Sequence, residues 1–317
     1  MFDLDQVEFE EVACDHCGSE DQEILFSGPD RLHHLPGTFQ VVRCRQCGWM
    51  RQNPRPAPSS LQLYYPQSYE NFAIAPQDEP SWLKRVSRQY GIAKRRRLVE
   101  RYSHHRGKLL DVGCATGNFL AEMQRHGWQT YGIEPSAYAA QYAQQRFGLE
   151  IHHGTLCDAP LSHESFDAIT FWDVFEHLQH PWQDLQRAFH LLKPDGILIL
   201  RIPNLEGIEA HLFGKLWIGW DLPRHLYFVP PKQLSRSLQE ELGFRILTMH
   251  AVSNAYPFFL LNLRFYLEEQ GRVPAPLFSI LGSFPVRLMV APLFYLLGRL
   301  NLATTTTIVA RKTSSSL

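Results

Sequence analysis

The sequence predicts an α/β fold: a doubly wound, mostly parallel sheet preceded by a small N-terminal metal-binding domain. From residue 108 onward, short apolar runs alternate with helical segments, the rhythm of βαβ units. Before that point, four of the six cysteines form two C-x-x-C pairs within the first 47 residues. Between the two parts, residues 53–58 read NPRPAP; closely spaced prolines exclude a regular helix and predict a linker.

Length and charge limit the possible functions. The chain of 317 residues is long enough for one large domain and a smaller one. Its formal net charge of −1 gives no overall field for nucleic acid or acidic substrates. Residues 1–25 lack the basic and apolar regions of a signal peptide, so we expect a cytoplasmic protein. We divide it into residues 1–53, a linker with a basic helix over 54–107, and a domain over 108–317.

The cysteine pairs predict a metal site. Cys14 and Cys17 form one pair, and Cys44 and Cys47 form the other, each followed by a glycine. Four thiolates suit tetrahedral zinc with no open position, which indicates a structural zinc ribbon. Two disulfides or idle thiols are the alternatives, but the lack of an export signal favours a metal.

The predicted elements of the larger domain follow one another in order. The strands are KLLDVG, TYGIEP, EIHHG, FDAITFW and ILILRIP, then FRILTMHA and TTTTIVARK. The helices between them are NFLAEMQRHG, SAYAAQYAQQRFG and one that begins at PWQDL. Ser136 suits the N-cap of the second helix, and Gly148 suits the position after its end.

A basic helix is predicted over residues 82–102, with eight Lys or Arg against one Glu. We expect it to close the larger domain, with its basic side chains in solvent. Trp82, Val86, Tyr90 and Leu98 would be among its buried positions. The alternative is a helix that faces RNA or a membrane.

The turn in LLDVGCATGNFL, residues 109–120, predicts a nucleotide-like ligand. A dinucleotide fingerprint started at Gly113 would place Asn118 where close helix–strand packing needs a small residue. S-adenosylmethionine (SAM) has no phosphates, and needs an acid at the end of the second strand for its ribose hydroxyls. Glu134 stands there, 21 residues after Gly113. The sequence therefore predicts SAM as the cofactor.

These segments also resemble a known family. LLDVGCATGNFL, YGIEPS, FDAITFWDVFEHL and LLKPDGILILRIPN are similar, in order, to the motifs of class I SAM-dependent methyltransferases over residues 108–204. The resemblance implies a Rossmann-like sheet of seven strands, with TTTTIVARK as an inserted antiparallel last strand. It also implies the residues around SAM: Asp111, Gly113, Cys114, Ala115 and Gly117 at the methionine part, Glu134 at the ribose, Thr155 and Leu156 at the adenine, and Trp172 and Asp173 beside the sulfonium.

Two positions depart from the family pattern. Ala115 replaces a commoner glycine, which is tolerable if that residue keeps a negative φ. Thr155 stands where an acidic residue is frequent, a role that Asp158 would take instead.

A zinc ribbon before a methyltransferase domain resembles the sugar C-methyltransferases that act on nucleotide-linked deoxysugars. The segment VRCRQCGWMRQNPRP is similar to the end of their ribbon, whereas the last third of the chain does not match them. We expect the ribbon to cap the acceptor side of the cleft. The acceptor would be a small molecule, a nucleotide sugar or a lipid-linked glycan precursor.

Candidate bases for the acceptor follow the fourth strand, in WDVFEHLQHPW. His177 is the best candidate because an imidazole suits proton removal near neutrality, and Glu176 is the neighbouring option. Quinone O-methyltransferases carry a similar Glu-His pair. The alternative is a histidine bonded to a backbone carbonyl. A second cluster has His225 with Arg224 and Tyr227, and Tyr64, Tyr65 and Tyr69 of the linker could also line the pocket.

The segment over residues 252–302 is unusually apolar, but Pro285, Arg287 and Pro292 interrupt any membrane span. We expect one or two helices that pack on the domain or make peripheral contact with a membrane. Three other functions stay open: an RNA methyltransferase, a non-catalytic SAM-binding protein and a zinc-ribbon interaction protein. Nucleic acid is the less favoured partner because WDVF stands where an N-P-P-Y-like tetrapeptide would follow the fourth strand.

Overall fold

The structure is a computed structural model that describes residues 4–65, 81–251, 256–272 and 275–313. The strands are β1 Phe9–Glu10, β2 Gln22–Gly28, β3 Phe39–Cys44, β4 Met50–Gln52, β5 Arg55–Pro56, β6 Lys108–Val112, β7 Gln129–Glu134, β8 Glu150–His153, β9 Phe166–Trp172, β10 Leu192–Pro203, β11 Tyr227–Phe228, β12 Phe244–Ala251 and β13 Thr305–Lys312. The helices are α1 Pro58–Leu61, α2 Trp82–Tyr102, α3 Asn118–Arg125, α4 Ala137–Phe147, α5 Pro181–Leu191, α6 Ile208–Phe213, α7 Pro231–Glu240, α8 Tyr256–Glu269, α9 Ala275–Leu281 and α10 Phe284–Arg299.

The larger domain is built on a seven-stranded sheet in the order β12-β13-β10-β9-β6-β7-β8. Only β13 runs antiparallel to its neighbours, β10 and β12. Helices α2, α3 and α4 contribute to the apolar cluster of one face, whereas α5 and α7 contribute to that of the other. The predicted doubly wound fold with an inserted antiparallel last strand is therefore confirmed.

Local sequence signals account for many element boundaries. The Ser136 hydroxyl accepts a hydrogen bond from the Ala139 amide at the start of α4, and Gly148 ends this helix with φ of +64°. All seven residues of β9 are buried, as expected for a central parallel strand. β10 begins earlier than its apolar run suggests, because its pairing with β9 resumes after an irregularity between Leu192 and Ile197.

The basic helix α2 has the predicted bounds, but its expected buried positions are wrong. Trp82, Val86 and Tyr90 are 68%, 54% and 64% exposed. Val99 is fully buried, with Leu98 packed against the same cluster. Because packing falls on the second half of the helix, Trp82, Val86 and Tyr90 stay in solvent.

The N-terminal cysteine-containing segment does not complete its own sheet. Its four strands lie in the order β11-β4-β3-β2, and β11 comes from far along the chain. Tyr227 pairs with Arg51, and Phe228 pairs with Met50, in antiparallel register. The ribbon segment and the larger domain therefore share a sheet.

Buried polar contacts strengthen this junction. Arg224 donates to Asp30 of the ribbon segment and to Asp221 of its own loop, with Nη2 2.7 Å from one oxygen of each carboxylate. On the other side, the Asp15 carboxylate accepts from the Trp182 amide at 2.6 Å, at the start of α5. A carboxylate at this position satisfies a free amide of the first helical turn.

The apolar segment after β12 forms three helices, α8, α9 and α10, where one or two were expected. α8 packs against α6, and α10 packs against β12 and α8. Within the described residues, none of the helices combines the length and the apolar character needed to cross a bilayer.

Candidate functional site

A tight turn joins β6 to α3 and carries the glycines predicted to border the cofactor. Gly113 and Gly117 have φ of +69° and +74°, values that favour glycine. A Cβ atom on Gly113 would lie 2.5 Å from the Val174 side chain, and one on Gly117 would lie 2.6 Å from that of Leu149. Neither position can therefore accept a side chain without rearrangement.

Ala115 lies in the same turn with φ of +47°. The expectation that this alanine would be tolerated through a negative φ is therefore wrong. Its amide points at the Glu134 carboxylate, 2.8 Å away. This hydrogen bond holds the alanine in a left-handed conformation that costs roughly 1–2 kcal/mol for a residue with a Cβ.

Glu134 closes β7 as predicted and is fixed from two sides. Besides the bond from Ala115, its other carboxylate oxygen accepts from the Ser136 amide at 2.8 Å. The side chain is 6% exposed, and burial raises the pKa of its carboxyl. Each carboxylate oxygen keeps a second lone pair, so the group could accept hydrogen bonds from a diol at the mouth of the turn.

Asp111 lies beneath the turn and accepts a 2.6 Å hydrogen bond from the Thr170 hydroxyl. Burial raises the pKa of Asp111 to about 7. The side chain of Cys114 is buried towards β7, since a Cβ on Gly132 would lie 2.7 Å from its sulfur. Cys114 could therefore border a ligand only with its backbone.

Two arginines that the sequence analysis did not single out converge at the end of β9. Arg201 forms a hydrogen bond of 2.6 Å to Asp173, and Arg95 lies 3.6 Å from the same carboxylate. Their guanidinium carbons lie 5.8 Å and 5.1 Å from the centre of a Trp172 ring. Burial lowers the pKa of both arginines, so an additional anion would be favourable there.

The segment predicted for adenine recognition follows β8. Leu156 is buried, whereas Thr155 is exposed and donates a 2.6 Å hydrogen bond to Asp158. This bond lowers the pKa of the Asp158 carboxyl. Asp158 thus places a carboxylate beside Thr155, and its role in adenine recognition stays a prediction.

The two predicted base clusters meet in space. Ligand atoms of Glu176, His177 and His225 lie within 4.8 Å of one another, and the two imidazole centres are 4.6 Å apart. His177 Nδ1 is 2.9 Å from the Arg224 carbonyl oxygen and 3.1 Å from the Tyr65 hydroxyl. Three ligands at this spacing could also hold a divalent cation.

Burial separates the proton affinities of these groups. It lowers the pKa of His177 to about 3, with His225 acting in the same direction. It raises the pKa of Glu176 to about 8. His177 is therefore a neutral hydrogen-bonding group near pH 7, whereas Glu176 can exchange a proton in that range.

Glu176 also borders a small, mainly apolar cavity. One Glu176 carboxyl oxygen and the Trp217 indole nitrogen are buried and have no hydrogen-bond partner among the described residues. Such unsatisfied groups are uncommon in proteins and suit a bound polar group. The cavity is lined by Phe175, Glu176, Ile202, Pro203, Leu205, Trp217, Tyr227, Phe228 and Val229.

The linker tyrosines have different surroundings. Tyr65 contacts His177, as described, whereas Tyr64 is fully buried and donates to the Pro36 carbonyl at 3.0 Å. Tyr69 lies outside the described residues. Of the two tyrosines that the structure describes, Tyr65 therefore lies beside the base cluster.

The four N-terminal cysteines form one compact cluster. Their sulfurs lie within 4.8 Å of one another, with Cys14–Cys47 and Cys17–Cys44 distances of 3.5 Å. A tetrahedron with zinc–sulfur bonds of about 2.3 Å has sulfur–sulfur edges of about 3.8 Å. The cluster therefore fits a tetrahedral metal ion and is too wide for disulfide bonds.

Comparisons with known proteins agree with this geometry. The family described as Methyltransferase domain matches residues 83–249. A ubiquinone biosynthesis O-methyltransferase of Haemophilus ducreyi is 38% identical over 144 residues, which cover 40% of this chain and 61% of that protein. One from Rhodopseudomonas palustris (strain BisA53) is 28% identical over 142 residues, or 42% of this chain and 56% of that protein. The chain thus spans about three fifths of these curated relatives.

Among solved structures, a SAM dependent methyltransferase from Archaeoglobus fulgidus aligns with a TM-score of 0.49 and 19% identity. The alignment covers 71% of this chain and 94% of that one. The family match begins after the four cysteines and includes both the glycine turn and the base cluster. As its ordered motifs predicted, this chain belongs to the Methyltransferase domain family.

Proposed function

We propose that the protein is a SAM-dependent methyltransferase that acts on a small molecule by in-line displacement. One observation carries this proposal: the glycine turn and the Glu134 carboxylate are locked together, beside two arginines that share Asp173. This arrangement offers a carboxylate that can accept hydrogen bonds from a diol, and cationic groups that can bind a carboxylate. Both lie at the carboxyl ends of adjacent parallel strands, where ligands bind in such sheets.

The chain's own groups fit the parts of SAM. Glu134 would bind the ribose hydroxyls, and Gly113 and Gly117 would let the backbone approach the methionine part. Arg95 and Arg201 would bind its carboxylate, because guanidinium groups pair well with carboxylates. When bound, SAM supplies a methyl group on a positively charged sulfur. Leu156 and Asp158 would border the adenine.

The acceptor would reach the methyl group from the side of Glu176, with one of its groups in the small cavity there. The unpartnered Trp217 indole N–H would orient a polar group of the acceptor, and apolar side chains would hold its body. In its ionised form, Glu176 would take the proton of an acidic acceptor group, since a base with a pKa near the working pH is effective. With a pKa of about 8, the ionised fraction of Glu176 increases as the pH rises towards 8. His177 would orient the acceptor through its neutral imidazole, with His225 and Tyr65 fixing that ring.

We further propose that the four cysteines hold a structural zinc ion and that residues 1–53 act as a ribbon at the acceptor side. The contact of Arg224 with Asp30 supports this role, because Arg224 lies beside His225. The linker over 54–107 and the methyltransferase domain over 108–317 complete this division. A nucleotide sugar or lipid-linked precursor as the acceptor, and a cytoplasmic location, are parts of the same proposal.

Calorimetry with SAM, followed by incubation of tritium-labelled SAM with fractionated cell extract, tests the function. We expect saturable SAM binding and one labelled small molecule. Saturable binding of NAD with no heat from SAM would overturn the cofactor assignment. Label found only in RNA would favour an RNA methyltransferase, and SAM binding without any labelled product would favour a non-catalytic role.

A further inference from the structure

Helices α8, α9 and α10 leave and rejoin the sheet at its ligand-binding edge. β12 ends at Ala251, which pairs with Thr306 near the start of β13, and Pro203 ends β10 opposite Thr305. The carboxyl ends of the parallel strands lie at this edge, as do the glycine turn and Glu176. The three helices therefore extend the side of the domain on which the proposed cofactor and acceptor sites lie.

Helix α10 is apolar on two sides. Phe294 and Gly298 are buried, and Val290 and Leu297 pack partly against the cluster around Ala251. The opposite side carries seven exposed apolar or aromatic residues, which we call the apolar face of α10. They are Phe284 (77% exposed), Leu288 (65%), Met289 (73%), Leu293 (55%), Tyr295 (59%), Leu296 (52%) and Leu300 (57%). A helix on the surface of a soluble domain normally has a polar outer side, so this face indicates a partner.

The charged residues of α10 itself, and of the chain that follows it, are all basic. From residue 270 to the end of the sequence there is no Asp or Glu, and α10 itself carries Arg287 and Arg299. Arg272 precedes α9. A second copy of the chain would bring the same arginines together with no carboxylate on the helix to meet them. An anionic lipid surface offers both an apolar layer and negative phosphates.

A second exposed surface has the same chemistry. Trp82, Val86 and Tyr90 lie four residues apart along α2 and therefore on one side of the helix. They are more than half exposed, on a helix with eight Lys or Arg against one Glu. α10 packs directly on the edge strand β12. Val99 of α2 belongs to the apolar cluster against which Leu247 of β12 packs.

We propose that α10 is an interfacial helix that docks the protein on an anionic lipid bilayer. Its apolar face enters the boundary between headgroups and acyl chains, and Arg287 and Arg299 contact lipid phosphates. The docking is peripheral, in keeping with the lengths of the described helices. It places the ligand-binding edge of the sheet next to the membrane, and it is independent of whether methyl transfer occurs.

Vesicle flotation of the full chain tests this docking. We expect the protein to float with phosphatidylcholine vesicles that contain phosphatidylglycerol, and far less with phosphatidylcholine alone. Leu288→Glu combined with Met289→Glu should lower the partition coefficient at least about tenfold, because carboxylates are repelled and poorly solvated there. Tyr138→Glu is the matched control: Tyr138 is 64% exposed on α4, which packs on β7 and β8 at the other end of the sheet. It should float like the parent protein.

A second variant separates the two parts of the interaction. Arg287→Gln with Arg299→Gln should remove most of the preference for anionic vesicles, and added salt should have the same effect on the parent protein. Unfolding midpoints and calorimetric SAM binding of every variant provide a check of folding, independent of flotation.

Three results would overturn the docking. The parent protein could fail to float with either vesicle, or the double glutamate variant could float as well as the parent. In the third, sedimentation without lipid would show that the parent protein is a dimer and that the double glutamate variant is a monomer, while the parent does not bind vesicles. The apolar face of α10 would then be covered by a second copy of the chain.

Discussion

Arg224 and Asp30 form a fully buried ion pair, with Nη2–Oδ1 and Nη1–Oδ2 distances of 2.7 Å and 2.9 Å. The pair joins residues that are 194 positions apart in the chain. Asp221 is the second partner of the same guanidinium; burial alone would raise its pKa, but Arg224 more than offsets this and the pKa lies below the usual range. The ribbon segment thereby holds the loop on which His225 lies.

Replacement of Asp30 tests this connection. Asp30→Asn should lower the free energy of unfolding by about 3 kcal/mol, because it removes one partner of a buried charge. Denaturant titration measures the change. Asp21→Asn is the control: Asp21 is 71% exposed and pairs with Arg45 at the surface, so the expected change is below about 0.5 kcal/mol. Equal effects of the two substitutions would show that the buried pair is unimportant.

The pKa of Glu176 predicts a specific dependence of stability on pH. The folded protein keeps this carboxyl protonated up to about pH 8, whereas the unfolded chain releases the proton near pH 4.5. The folded state therefore binds more protons between these values, and this group's contribution to stability falls as the pH rises through that window. Glu176→Gln should remove up to about 1.4 kcal/mol per pH unit of this slope. Denaturant titrations at several pH values, with exposed Glu150→Gln as the control, measure it.

The same variant tests catalysis. With saturating SAM, Glu176→Gln should reduce turnover by about 10²–10⁴, the usual contribution of a general base. The dissociation constant of SAM should be unchanged. A loss of turnover of less than tenfold would exclude Glu176 as the base. If His177→Ala then lowered turnover more than Glu176→Gln, His177 would be the base.

Arg95 is expected to recognise the carboxylate of the cofactor. Arg95→Gln should weaken SAM binding by about 10- to 150-fold, the value of a charge-assisted hydrogen bond. Binding of methylthioadenosine, which has no carboxylate, should not change. Calorimetry compares both ligands, with Arg97→Gln on the exposed side of α2 as the control. An equal loss for both ligands would mean that Arg95 acts on the fold rather than on the carboxylate.

The left-handed conformation of Ala115 predicts a stabilising substitution. Ala115→Gly should raise the free energy of unfolding by about 0.5–1 kcal/mol. Glycine removes the steric cost of a Cβ at positive φ, and this gain exceeds the loss from the greater entropy of the unfolded chain. Ala139→Gly within α4 should lower it by about 1 kcal/mol. Denaturant midpoints of the two variants and the parent protein measure these changes. A loss of stability in Ala115→Gly would show that the backbone of Ala115 is not strained in this turn.

Metal removal should affect the larger domain as well as the ribbon segment. Elemental analysis should find one zinc ion per chain, absent from Cys44→Ser. Because His16 stacks on Trp49 and meets the edge of Trp182, the near-ultraviolet circular dichroism should change with it. Cys157→Ser, at an exposed cysteine, should leave both unchanged. An unaltered spectrum in metal-free protein would show that the contact of His16 with Trp49 and Trp182 does not depend on the metal.

Short-range patterns were enough for much of the fold. The glycine turn and Glu134 follow from motifs whose residues lie close together in the chain, whereas the inserted position of β13 was implied by the family resemblance. Arg95 was hidden because several neighbours in α2 are also basic. Arg201 did leave a sign, since a charged residue inside ILILRIP needs a partner when the strand is buried.

Long-range contacts escaped prediction for a physical reason. Both His177 and His225 could be named as candidate bases from their residue type. Nothing in either segment specifies the distance between them, so their contact could not be predicted. The backbone angle of Ala115 depends on the Glu134 carboxylate that its amide contacts. The exposure of Trp82 depends on which half of α2 finds a surface to pack against.

The strand at Tyr227–Phe228 has a consequence for biosynthesis. When residues 50–52 leave the ribosome, their pairing partner has not yet been made, so that edge of the nascent sheet has no neighbour for on the order of 10–40 s of translation. Metal binding by the four cysteines would then stabilise the N-terminal segment before β11 is synthesised and completes its sheet. The N-terminal region should therefore mature late although it is synthesised first.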